Sequence, residues 1–92
     1  MARYIGLHTL PGFSREMLSA ATPALGTLRD AQFLKAYSSF AEGRVVCEFE
    51  APSKESVAAA YATLGFPYDS IIEIDAICDA GPGDVSTVYL HG

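Results

Sequence analysis

The chain has only two histidines and two cysteines. These are the side chains best suited to hold a borderline metal or to move protons near neutral pH. His8 lies in the alternating run RYIGLHTL, and Glu48, Glu50 and Glu73 come from two other strand-like runs. One imidazole among such carboxylates could bind a divalent metal or form an acid/base pair. The simpler reading is that an uncovered sheet face is polar and asks nothing of its histidine. Cys47, between Val45 and Phe49, reads as a small core residue, protonated and inert. Cys78 has no adjacent base, and His91 near the end reads as an idle terminal residue. The cysteines show no CxxC spacing, and there is no P-loop, GxSxG, HExxH or dinucleotide fingerprint. The GPG at Gly81–Gly83 is a turn.

The elements that must position these residues follow from periodicity. RYIGLHTL alternates as a first strand and Pro11-Gly12 stop it. Ser14 caps a helix striped with Met17, Leu18, Ala21, Leu25 and Leu28, and Pro23 predicts a kink or an end near Thr22. QFLKAYSSF is a second strand, a turn at Gly43 follows, and RVVCEFEA is a third. Ser53 caps KESVAAAYATL, with Gly65 and Pro67 closing it. SIIEIDAI is the fourth strand. The order β-α-β-β-α-β is the ferredoxin-like pattern, an α+β fold with two helices on one face of an antiparallel sheet. The whole chain, 1–92, reads as one domain. Residues 79–92 form a tail whose VSTVYL run could add an edge strand or contact a partner subunit.

Alternation then assigns faces. Ile5 and Leu7 are expected under the helices, with Tyr4 and His8 on the open face. Val45, Cys47 and Phe49 go under, and Val46, Glu48 and Glu50 away. Leu34 and Ala36 go under, and Phe33, Lys35 and Tyr37 away. Ile72, Ile74 and Ala76 go under, and Glu73 and Asp75 away.

Composition removes several classes of function. Half the residues are hydrophobic and the net charge is -5, with six scattered basic residues, so no basic stripe exists for nucleic acid. Apolar runs are too short for a membrane span, and the N-terminus reads as mature protein. Two cysteines without a disulfide framework suit a reducing, cytoplasmic setting. So short a chain buries a modest share of its surface, which favours self-association.

LHTLPG, CEFEAPSKESV and LGFPYDSIIEI together resemble the small bacterial family known as domain of unknown function 4242, some members of which are described as nickel-binding. The resemblance runs from about Arg3 to about Ile77. It implies that two ferredoxin-like subunits pair as a homodimeric α/β barrel, with their helix-free sheet faces enclosing a pocket. It places His8 at a histidine of the nickel-binding members, and Cys47 and Glu50 on their strand pattern. It also implies histidines near Ala21, Ala60 and Leu64, where this chain is apolar, so a nickel-type site looks degenerate.

Two functions are expected. One is a ligand- or metal-binding protein with His8, Tyr4, Tyr37, Glu48 and Glu50 lining the pocket, and His8 with Glu50 holding nickel or zinc. The alternative is a cofactor-independent oxygenase or isomerase with His8 as general base, and Tyr37 or Lys35 steadying negative charge. A third possibility is that the chain only pairs with itself or with another chain, through VSTVYL.

Overall fold

A computed structural model describes residues 1–78 and 85–87. Its elements run β1 (Ala2–Thr9), α1 (Arg15–Leu25), β2 (Gln32–Ser39), β3 (Arg44–Ala51), α2 (Lys54–Leu64), β4 (Ser70–Ile74), β5 (Ala76–Cys78) and β6 (Val85–Thr87). The main sheet is antiparallel in the order β2-β3-β1-β4. This is the ferredoxin-like arrangement, with β1 central. β5 and β6 pair separately, so residues 85–87 add no edge to the main sheet. The rest of the tail, including Val88–Leu90, lies outside the described residues.

Local signals set the helices. Ser14 accepts from Met17 N and Ser53 from Ser56 N, each supplying an oxygen to an otherwise unpaired first-turn N–H. Gly65 closes α2 at φ 72°, the left-handed position that glycine adopts without strain. Of the kink or end expected near Thr22, the end does not occur: α1 runs through Pro23 to Leu25. Pro23 and Ser19, whose carbonyl would have accepted the lost N–H, are both exposed, so water can take that place. On α2, Val57, Ala60 and Tyr61 are fully buried, and Leu64 packs beside them, at the i, i+3, i+4, i+7 spacing of an apolar stripe.

The core lies between this stripe and one sheet face. It holds Val45, Cys47, Phe49 and Ala51 of β3, as expected, and also Ala2, Tyr4 and His8 of β1. The facing of β1 is therefore the reverse of the sequence expectation. Tyr4, Gly6 and His8 lie opposite Phe49, Cys47 and Val45. Gly6 explains the reversal: a Cβ there would overlap the Tyr61 hydroxyl and lie 2.7 Å from Tyr61 Cζ. The strand turns its glycine toward α2, and Tyr61 fills the space. Ile5 and Leu7 consequently face the open side.

β4 is reversed with it. Ile71 pairs with Gly6 and is buried, while Ile72 pairs with Ile5 and is 46 % exposed. Glu73 pairs with Tyr4, on the helix side. In β2 the register shifts between Phe33 and Lys35, a bulge at Leu34. The extra residue sends Phe33 under the helices, edge-on to Phe49 at 5.6 Å, and leaves Lys35 and Tyr37 outside as expected. Leu34 thereby joins the open face, beside Arg3 and Tyr37.

Candidate functional site

The residues expected to share one pocket divide between two sides of the sheet. Tyr37, Glu48 and Glu50 lie on the open face. Tyr37 and Glu48 border a shallow depression of about 580 Å³ with Arg3, Ile5, Leu34 and Ile74. Glu48 accepts from Arg3 Nη1 at 2.7 Å, and Glu50 stands 3.9 Å from Arg3 Nη2. Arg3, which sequence reasoning missed as a site residue, thus engages both carboxylates. The pairing of β1 with β3, Arg3 to Glu50, predicts it directly.

Tyr4 and His8 lie on the other face. Tyr4 is buried, and its hydroxyl pKa is pushed up by burial and then by the carboxylates of Glu73 and Glu55. His8 and Glu50 cannot share an ion. They point to opposite faces, and the register separates them by five residues of β1, roughly 16 Å at a strand's rise. The expected metal pair is therefore corrected: alternation from a wrongly faced β1 brought together two residues that the sheet holds apart.

His8 instead occupies a built environment inside the core. It is 1 % exposed. Its Nδ1 lies 2.8 Å from the Pro67 carbonyl oxygen, which can only accept, so Nδ1 carries the proton and donates. That fixes the tautomer and leaves a lone pair on Nε2. Nε2 is buried and has no hydrogen-bond partner. Burial lowers the His8 pKa, opposed by the Pro67 carbonyl and by Asp69. The turn that supplies Pro67 is itself anchored to β1. Asp69 N donates to Leu7 O at 2.7 Å, and Thr9 Oγ1 to Asp69 Oδ2 at 2.6 Å.

His8 and Cys47 line one cavity of about 20 Å³. Its remaining lining is apolar, including Leu10, Phe13, Ala21, Leu25, Val45 and Phe66. Cys47 is 5 % exposed, and burial pushes its thiol pKa up, as the core reading of this residue expects. Tyr61 stands edge-on to His8, with ring centroids 4.6 Å apart. Its hydroxyl neighbours the Cys47 sulfur, but no hydrogen-bond geometry closes between them. Sequence reasoning treated His8 and Cys47 separately. The signal that joins them is the glycine between strand ends, which sets the facing of β1. Ala21, where the family resemblance implies a histidine, borders the same cavity.

A larger apolar groove of about 670 Å³ runs above, between α1 and the end of α2. It shares Leu10, Phe13, Ala21 and Phe66 with the small cavity.

A ferredoxin-like sheet with a buried histidine and a buried thiol lining the same cavity is thus the class of protein that fold and site define. The chain belongs to the SCO4226-like family of nickel responsive proteins, whose pattern matches residues 4–74. The crystal structure of SCO4226 from Streptomyces coelicolor A3(2) superposes with a TM-score of 0.72 at 27 % identity, covering 79 % of this chain and 95 % of that one. The family match carries this nickel responsive description and not the domain of unknown function 4242 label. No curated protein matches.

The described residues do not fit nickel. Among the described residues no group of three or more His, Cys, Asp or Glu side chains could hold an ion. Among the described residues lining the cavity that His8 borders, Cys47 is the other donor-bearing side chain. A borderline divalent ion calls for more nitrogen, oxygen or sulfur ligands than that. No helix among the described residues is long and apolar enough to cross a membrane.

Proposed function

We propose that this chain is a small metal-responsive binding protein that holds its ion on the helix side of the sheet, with His8 as anchor. One observation carries the reading: a fully buried imidazole that lines a largely apolar cavity, with its Nδ1 committed to a backbone carbonyl and its Nε2 buried without a partner. A carbonyl on the far ring nitrogen is the usual second partner of a metal-ligating histidine. The family description, nickel responsive, supports a metal as the ligand class. A general-base role for His8 on the open face, the alternative expected from sequence, has lost its geometry.

The open face serves a different purpose in this proposal. It exposes Ile72 and Tyr37 and carries Ile5, Leu7, Val46 and Ile74 beside the Arg3–Glu48 pair. Such a face suits pairing with a second copy as a homodimeric barrel. Free Cys47 and Cys78 suit a reducing compartment such as the cytoplasm.

The test is metal content of tag-free protein by mass spectrometry, followed by calorimetric titration with nickel, zinc and copper. The expected outcome is one metal per chain, lost in His8→Ala while circular dichroism keeps the fold. Equal binding by that variant refutes the site. Light scattering should give twice the mass of one chain, and a monomer refutes the barrel.

A further inference from the structure

The mismatch between the donors at His8 and a nickel ion points to a different ion. The inference rests on the reading of this pocket as a metal site and specifies what that site takes. Two donors are available, a neutral imidazole nitrogen and a thiol. Their strands are neighbours. His8 pairs with Val45 and Gly6 with Cys47, so His8 and Cys47 are diagonal on one face, within reach of a long side chain. The cavity that both line is about 20 Å³, enough for one atom-sized guest and little else.

Charge and softness then choose the guest. Thiolate and imidazole are soft to intermediate ligands, and thiolate selects monovalent copper among the biological metals. A cuprous ion has a filled d shell and is content with two ligands. It enters as the thiol releases one proton, and the resulting Cu⁺–thiolate–imidazole unit carries no net charge. A divalent ion on the same two donors would leave one uncompensated positive charge in an apolar cavity, which a low-dielectric interior strongly disfavours. It would also lack the further ligands its geometry demands. The groove above supplies a way in, with the Met17 thioether on its wall and Phe13 and Ala21 common to groove and cavity. The Pro67 carbonyl holds the ring through Nδ1 and leaves Nε2 as its free donor.

We propose that His8 Nε2 and Cys47 Sγ form a buried two-coordinate site for cuprous ion. The test uses the full chain in a Cys78→Ser background, which leaves one thiol, under anaerobic conditions with a chromophoric cuprous chelator as competitor. One equivalent of copper should transfer. Cys47→Ser and His8→Asn should each lower the affinity by more than about a hundredfold, beyond what loss of an outer hydrogen-bond partner does. X-ray absorption of the copper-loaded protein needs neither site variant, and should show one sulfur and one imidazole nitrogen. Copper bound equally by both variants, or a sphere without sulfur, overturns the site. Nickel bound at His8 with no cuprous binding overturns the choice of ion and leaves the metal site standing. No metal of either kind overturns both.

Discussion

Gly6→Ala is the substitution whose outcome separates local propensity from packing. Propensity alone predicts a gain of about 0.5–1 kcal/mol, because alanine loses less backbone entropy in a strand than glycine does. The structure predicts the opposite sign. The new methyl would stand 2.7 Å from Tyr61 Cζ and 2.9 Å from Cε2, and would overlap the hydroxyl. Ordinary contact begins near 3.4 Å, so the ring must retreat by close to an ångström and the hydroxyl by more. Tyr61 cannot retreat freely. It is fully buried and wedged edge-on against His8 at 4.6 Å and Phe49 at 5.4 Å, with Tyr68 at 5.3 Å. Overpacking of this kind costs roughly 1–3 kcal/mol, and the constraint puts Gly6 at the upper end. Net of the propensity gain, the loss is about 2 kcal/mol, or roughly 8–16 °C in Tm for a domain of this size. Thermal and urea unfolding followed by circular dichroism would read it. Gly26→Ala is the control. Gly26 sits at φ -74°, and a Cβ there meets only backbone oxygens at 3.7 and 3.9 Å, so that variant should be neutral or slightly stabilised. A Gly6→Ala protein as stable as the wild type would refute both the facing of β1 and the role of Tyr61.

Two further outcomes follow from named groups. In metal-free protein, burial holds the folded-state pKa of His8 below its unfolded value near 6.5, so the folded state prefers the neutral ring. Its contribution to stability is full above about pH 6.5 and declines as pH falls, at up to about 1.4 kcal/mol per pH unit. Urea unfolding between pH 7.5 and 5.5 should show this slope flattened in His8→Gln, and an identical slope in that variant would contradict it. Ser53→Ala removes the acceptor for Ser56 N and should cost about 1 kcal/mol by chemical denaturation; no change would mean that α2 does not depend on this cap.

Most of the fold is legible because its punctuation is local. Ser14, Ser53 and Gly65 mark helix ends by chemistry that needs no tertiary context. The order of elements follows, and with it the antiparallel sheet. Facing was harder, because this sheet is apolar on both sides. In RYIGLHTL either half of the alternation contains groups that can be buried, and in SIIEI isoleucine occurs on both. Ranking side chains by polarity put Ile5 and Leu7 inside. The decisive residue was Gly6, whose missing side chain admits Tyr61 from α2, a contact of long sequence separation. The bulge at Leu34 has no glycine or proline to announce it, which is why Phe33 was misplaced. The site suffered from the same inversion. Cys47 lies in the core, as its neighbours on β3 imply, and the reversal of β1 puts His8 on that same side of the sheet and not on the open face with Glu50.

The central place of β1 also bears on how the protein is made. Within this sheet Ala2–Thr9 is synthesised before both of its partners, Arg44–Ala51 and Ser70–Ile74. At about 5–20 residues per second, roughly 2–7 s separate synthesis of Thr9 from that of Arg44, and roughly 3–12 s from that of Ser70. Throughout that interval β1 has two open edges and apolar residues on both faces. β1 is therefore fully paired only once β4 has been made, and its fate during translation depends on how soon that distal strand arrives.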